Sequence, residues 1–274
     1  MTDDRAERYR TMLDGLRGLT SALVAFSGGV DSTFLVAAVQ ESGIPYLAVT
    51  ALSPTMPARD REDVAMLIRE RQWRHRFIDS GELDDANFVR NTFDRCYFCK
   101  SDLFGRLTGL ARQEGWAAVL DGSTTDDLTD YRPGMQAKRQ FQVRSPILEA
   151  GLGKEDVRWL SREMGLKSWD KPASPCLSSR ISYGEPIHVR SLQMVEEAET
   201  RLRALGFGTM RVRKQGETAR IELPEADLPR LLEPGLRQQV ITGVRQAGFT
   251  YVSLDLEGFQ SGRLNRVIPI RPAQ

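Results

Sequence analysis

A chain of 274 residues is long enough for one large domain or two modest ones. With 41% hydrophobic and 27% charged residues, its composition is that of an ordinary soluble globular protein. The 38 basic and 37 acidic residues leave a net charge of +1, which excludes a global basic field for nucleic acid and leaves room only for a local basic groove. No apolar run approaches the ~18 residues that a membrane span needs, and the charged N-terminus MTDDRAERYR lacks the apolar stretch of a signal peptide. A cytoplasmic protein with neither a membrane nor a nucleic-acid partner is expected.

In chain order, strand-like segments at Ala22–Phe26, Tyr46–Thr50, Trp73–Ile78 and Ala117–Asp121 alternate with helical patterns at Ser32–Glu41, Arg59–Arg71 and Lys100–Glu114. Short apolar strands separated by such helices predict an α/β fold, a parallel sheet with helices on both faces. Ligands bind such sheets beyond the carboxyl ends of the strands. AFSGGVDS leaves the first strand there, ALSPTMP the second and DGSTTDD the fourth, so three polar loops converge. In the first, Gly28 and Gly29 let the backbone turn tightly and aim N–H groups at an anion. The helix that follows adds its positive N-terminal end. A Walker loop needs GxxxxGK[ST], and this loop has no lysine. Neither a turn nor a helix cap requires Ser27, Asp31 and Ser32 together.

Residues 151–165 read as another helix, and 171–186, KPASPCLSSRISYGEP, as a loop or linker. A helix over Val189–Leu205 then leads to strands at Met210–Lys214 and Ala219–Leu223 around a Gln-Gly-Glu turn. A helix over Glu225–Ala247, interrupted at Pro234-Gly235, and a strand at Tyr251–Asp255 complete a smaller α+β domain. The expected division is 1–170, a cysteine-bearing linker at 171–185, and 186–274.

Cys96, Cys99 and Cys176 are the three cysteines. An odd count argues against a disulfide framework and for metal, redox or sulfur chemistry. The CxxC of RCYFCK, just ahead of a predicted helix, reads equally as a thiol redox pair, a zinc half-site or an iron–sulfur half-site. A Cys₃His zinc site is strained, with only His75 and His188 to complete it. Three thiolates suffice for a cubane cluster with one iron left open. Cys176 lies in a polar loop near Arg180, where positive charge favours the reactive thiolate.

The SGGxDS pattern at 27–32 resembles the PP-loop of ATP pyrophosphatases, which split ATP between the α and β phosphates and leave AMP on the substrate. Taken with RCYFCK at 95–100, DGSTTDDLTDYRPG at 121–134, VRSPILEA at 143–150, PASPCLSSRISYGEPI at 172–187 and RVRKQGETARIE at 211–222, the chain resembles the LarE family. These are ATP-dependent sulfur transferases of the nickel-pincer nucleotide pathway. The resemblance implies an adenine nucleotide alpha hydrolase-like PP-loop domain and a pyridinium dicarboxylate mononucleotide as substrate. Its carboxylate is adenylated and then converted to a thiocarboxylate. In some members the cysteine matching Cys176 gives up its own sulfur. In others a CxxC plus that cysteine hold a [4Fe-4S] cluster whose open iron binds a sulfide from a separate donor. Cys96 and Cys99 favour the second version here.

Roles implied by the resemblance follow residue by residue. Ser27, Gly28, Gly29, Asp31 and Ser32 bind the phosphates of ATP, with Asp31 near Mg²⁺. Ser53 contacts the adenosine or merely turns the chain before Pro54. Asp121, Gly122, Asp126 and Arg132 lie near the reacting phosphate, Asp126 joining Asp31 and Cys176 in the chemistry, while Asp127 and Asp130 lie on a solvated face. Arg180, Arg211 and Arg213 suit the substrate's phosphate, which guanidinium pairs bidentately. Glu197 and Glu222 match family acids linked to metal or phosphate handling. His75 and His188 carry no catalytic role, and a homo-oligomer is implied. The rival readings are a PP-loop tRNA thiolase, an ammonia-dependent synthetase, and a non-catalytic nucleotide sensor.

Overall fold

The computed structural model describes residues 2–128, 133–260 and 262–267. By contact, the chain divides into two compact units. Met1–Glu82 with Cys96–Ser174 form the first, and Leu83–Arg95 with Pro175–Gln274 form the second.

The first unit is built on α1 (Thr2–Arg17), β1 (Ala22–Ala25), α2 (Val30–Ser42), β2 (Tyr46–Leu52), α3 (Ala58–Arg71) and β3 (His75–Asp79). After the excursion that carries α4 (Ala86–Val89) in the second unit, it continues with α5 (Arg95–Glu114), β4 (Ala118–Leu120), α6 (Gly134–Gln140), α7 (Pro146–Glu149) and α8 (Lys154–Glu163). The strands run parallel in the order β3-β2-β1-β4. Beyond β4, Arg144 extends the sheet edge, its N–H donating to Val119 and its carbonyl accepting from Asp121. Alternate strand residues face opposite layers. Ala22, Val24 and Ala48 pack with Leu13 and Leu16 of α1, Phe34 and Leu35 of α2, Val64 of α3 and Val157 of α8. Leu23, Leu47, Val49 and Val119 pack with Phe104 and Leu107 of α5 and Ala137 of α6. The sheet therefore carries helices on both faces, as its sequence pattern predicts.

Most boundaries shift by a residue or two from the sequence reading, and two shifts have a clear physical reason. Trp73 belongs to the end of α3 and not to β3. Gln72 adopts the left-handed conformation (φ 51°), and the Trp73 N–H returns to the Ile68 carbonyl, so the apolar side chain is tucked under a helix terminus. Helix α5 begins at Arg95, which places Cys96-Tyr97-Phe98-Cys99 in its first turn and not ahead of it. Cysteine and aromatic residues have low intrinsic helix propensity, and packing of Tyr97 against the second core outweighs it.

In the second unit, α9 (Val189–Ala204) precedes β5 (Arg211–Gln215) and β6 (Thr218–Glu222). These strands form an antiparallel hairpin whose two-residue link is turned by Gly216 at φ 56°. Next come α10 (Leu228–Leu231), α11 (Pro234–Gln246) and β7 (Tyr251–Leu254), which joins β6 in parallel. The expected interruption at Pro234-Gly235 falls just before Pro234, which takes the first position of α11 where no N–H is needed.

Candidate functional site

At the carboxyl edge of the first unit's sheet, Gly28 adopts φ 71°, and a Cβ there would stand 2.6 Å from Val64 Cγ2. Only glycine fits both constraints. Gly29 caps α2. The Ser32 hydroxyl is shared by the Ser27 N–H at 3.2 Å, the Ser27 Oγ at 3.1 Å and the Gly29 carbonyl at 3.2 Å. Ser27 is exposed, whereas Ser32 is buried. Gly122, after β4, passes so close to the start of α2 that a Cβ would lie 3.0 Å from the Ser32 nitrogen. The structure thus brings Ser27, Gly28, Gly29, Asp31, Ser32 and Gly122 to one helix N-terminus.

The other predicted loop residues are partly committed to internal bonds. Ser53 donates its hydroxyl to the carboxylate of Glu82, a buried side chain that also accepts from Thr55 at 3.1 Å. Asp121 accepts from Ser123 Oγ at 2.7 Å and from Ser145, whose hydroxyl in turn accepts from the buried Lys138 at 2.8 Å. Asp126 uses one oxygen to accept the Lys154 N–H at 2.7 Å, at the start of α8. Asp127, expected on a solvated face, is buried and accepts the Thr124 N–H at 2.9 Å. Its other oxygen lies 3.6 Å from the Lys154 ammonium at the start of α8, so this carboxylate faces inward against that helix and not towards solvent. Asp130 and Arg132 lie outside the described residues. His75 Nε2 meets Thr50 Oγ1 at 2.8 Å, and Thr50 donates to the Phe26 carbonyl at 2.7 Å.

One residue that sequence reasoning missed is Lys171. Its ammonium contacts Asp60 at 3.0 Å and Asp63 at 2.8 Å on α3, and donates to the Gly28 carbonyl at 3.3 Å. No local signal links it to a loop 143 positions earlier.

In the second unit, Arg180 is 2% exposed and pairs with Glu199 of α9, Nε to Oε1 at 2.9 Å and Nη2 to Oε2 at 3.3 Å. Its Nη1 donates to the carbonyls of Pro175 and Cys176. Three donors therefore meet at the Cys176 carbonyl: this Nη1, the Ser179 N–H and the Ser179 hydroxyl. The Cys176 residue itself stays exposed. Arg213 gives two N–H groups to the fully buried Glu222 and one to the Ser179 carbonyl. Burial pushes the Arg211 guanidinium down to about 10, helped by the charge of Arg180. Burial raises the Glu199 carboxyl, but the charge and hydrogen bond of Arg180, the Val212 N–H and the charge of Arg211 together outweigh it and hold the group below its ordinary value.

Glu197, by contrast, is exposed and pairs with Arg201 one turn away. The structure does not bring it to Arg180, Arg211 and Arg213; Glu199 stands there instead. The signal for Glu199 was legible: it follows Leu192 and Val195 at helical spacing and precedes Leu202, on the buried stripe of α9.

No protein-family model matches the chain. It is 44% identical over 254 residues to an uncharacterized protein of a Synechocystis strain, covering 91% of this chain and 94% of that one. It is 38% identical over 264 residues to the pyridinium-3,5-bisthiocarboxylic acid mononucleotide synthase of Lactiplantibacillus plantarum, covering 95% of this chain and 94% of that protein. An uncharacterized protein of Methanocaldococcus jannaschii is 28% identical over 239 residues. The chain belongs to the LarE family.

In this LarE-family chain the three cysteines fall in two different units. Cys96 and Cys99 stand one helical turn apart at the start of α5, and Cys176 belongs to the other unit. All three are thiols, two exposed and Cys99 half-buried. Among the described residues, no three His, Cys, Asp or Glu side chains gather closely enough to hold a metal ion. The donor type suits iron–sulfur ligation, since clusters are held by thiolates. No helix among the described residues is long and apolar enough to cross a membrane.

Proposed function

We propose that this LarE-family chain is an ATP-dependent sulfur transferase that adenylates a carboxylate of a pyridinium dicarboxylate mononucleotide and converts it to a thiocarboxylate. The observation that carries the reading is the Ser27–Ser32 turn at the head of α2, pressed from one side by Gly122 and from another by Val64. It stands in a chain similar to a bisthiocarboxylic acid mononucleotide synthase.

In this reading the turn's N–H groups and hydroxyls hold the phosphates of ATP, and Asp31 in the first turn of α2 holds Mg²⁺. Asp121, Asp126 and Arg132 flank the reacting phosphate, and Ser53 the adenosine. The substrate carboxylate attacks the α-phosphorus and pyrophosphate leaves. The resulting acyl-adenylate is a strong electrophile with AMP as its leaving group. Arg211 and Arg213 neutralise the substrate's phosphate, with Arg180, Glu199 and Glu222 bracing them and Glu197 further out. A [4Fe-4S] cluster on Cys96, Cys99 and Cys176 would supply an open iron able to carry a transferable sulfide. The second reading uses Cys176 alone. Its sulfur displaces AMP to form a thioester, loss of the Cα proton then breaks the Cβ–Sγ bond, and the thiocarboxylate departs leaving dehydroalanine. The exposed Cys176 on a braced backbone favours that route, and the CxxC favours the first. Residues 1–170 serve ATP, 171–185 present Cys176, and 186–274 bind substrate and assemble a cytoplasmic homo-oligomer.

Protein purified without oxygen, given MgATP and the mononucleotide, is expected to release pyrophosphate and AMP only when substrate is present. The product should carry sulfur in place of a carboxylate oxygen by mass spectrometry. Pyrophosphate release indifferent to the mononucleotide, or sulfur delivered to tRNA, would overturn the proposal. Iron-free protein that turns over once and loses the mass of H₂S at Cys176 would select the second reading.

A further inference from the structure

We infer that Lys171 is a positioning residue that sets the orientation of the Gly28–Gly29 peptide and ties it to the root of the segment carrying Cys176; the inference rests on the ATP reading of the glycine turn. Lys171 is held at both ends. Its N–H donates to the Ser168 carbonyl, and its own carbonyl accepts from Arg158 Nη2 at 2.9 Å. Its ammonium lies between the carboxylates of Asp60 and Asp63 and donates to the Gly28 carbonyl.

Asp60, Asp63 and Val64 share one face of α3 through their i, i+3 and i+4 spacing. That face meets the turn twice, through the Val64 methyl beneath Gly28 and through the Lys171 bridge. A trans peptide points its C=O and N–H in opposite directions. A Gly28 carbonyl drawn to Lys171 therefore turns the Gly29 N–H away from the ammonium, at the residue that caps α2. An anion at a helix N-terminus uses such an N–H. Two carboxylates and a carbonyl around one ammonium leave a net negative cluster, so Lys171 acts on the loop rather than directly on phosphate. Asp60 also accepts from Ser174 Oγ at 2.6 Å, so one carboxylate fixes both ends of 171–174, two residues before Cys176.

The test compares wild type, Lys171→Met and Lys171→Arg, with thermal unfolding as the control for folding. The first readout is the carbonyl ¹³C resonance of Gly28 and the amide resonance of Gly29 in nucleotide-free protein. The second is MgATP affinity by calorimetry. K171M is expected to move both resonances and to weaken MgATP about tenfold or more, the loss of one charge-assisted hydrogen bond, with K171R restoring most of both. Unmoved Gly28 and Gly29 resonances in folded K171M, or unchanged MgATP affinity where wild type binds it, overturn the inference. If wild type binds no MgATP yet K171M still moves the two resonances, the nucleotide reading fails and the Lys171 contact stands. Should K171M not fold, Asp63→Asn removes one anchor of the ammonium, and the same resonances should move. Their constancy would count against the inference.

Discussion

Glu199 occupies a position that the helical period of α9 reserves for an apolar side chain, and it is 1% exposed. Ionised at that depth, it stands only because Arg180, Arg203 and the Val212 N–H all donate to it. Removing one partner of a buried pair strands the other charge. Glu199→Ala should therefore cost about 3–5 kcal/mol in urea unfolding. Glu197→Ala, two residues away and exposed, should stay within about 0.5 kcal/mol. Residue identity was legible for the glycine turn, where Gly-Gly followed by Asp-Ser has few other uses. For Glu199 against Glu197 the helical spacing of α9 carried the buried face, but not the Arg180 side chain that meets it there. Arg180 and Arg213 read as phosphate ligands from their charge, yet the fold spends most of their donors on Glu199, Glu222 and the carbonyls of 175–179.

A hydrogen-bonded chain runs from β3 through β2 to the Phe26 carbonyl, between the end of β1 and the glycine turn. Thr50 of β2 has one hydroxyl proton, and the Phe26 carbonyl can only accept it. His75 of β3 is therefore the donor through Nε2. Burial pushes the His75 imidazole down to about 4. The unfolded chain binds a proton near the ordinary 6.5 while the folded one does not, so stability falls as pH drops from about 6.5 to about 4 and this contribution flattens below. Unfolding midpoints across that window should show the slope, and His75→Gln should remove most of it. The same scale exposes where periodicity misled. The sequence pattern places Cys-Tyr-Phe-Cys just ahead of the helix at Lys100, and the core beneath Tyr97 makes it the first turn in spite of its poor local propensity.

Over the whole molecule, the 83–95 excursion belongs with the second unit although both its flanks belong to the first. Asn91 holds it there. Fully buried, with φ 54°, it donates from Nδ2 to the carbonyls of Ser182 and Glu185 and accepts from Arg95 at Oδ1. Arg95 also lies 4.4 Å from the centre of the Tyr183 ring. Asn91→Ala takes a donor from the Glu185 carbonyl and an acceptor from the buried Arg95 guanidinium, leaves the Ser182 carbonyl with the Glu185 N–H, and puts a residue with no local polar compensation at positive φ. A loss of about 2–4 kcal/mol is expected, with hydrogen exchange accelerating in 83–95 and 181–187 together. Exchange confined to one of the two segments would show that they do not form one cooperative piece.

By itself the sequence determined the parallel sheet, the glycine turn at its carboxyl edge, the thiol inventory and the family. All of these reside in short-range spacing, where period, turn chemistry and residue type act within a few positions. Tertiary structure alone decided that Lys171 meets a turn 143 positions earlier, that Glu199 and not Glu197 faces Arg180, and that the excursion at 83–95 sits with the second unit. The physical reason is that buried charge and unpaired backbone must find partners wherever packing brings them. Those partners are set by the fold as a whole and not by neighbours along the chain.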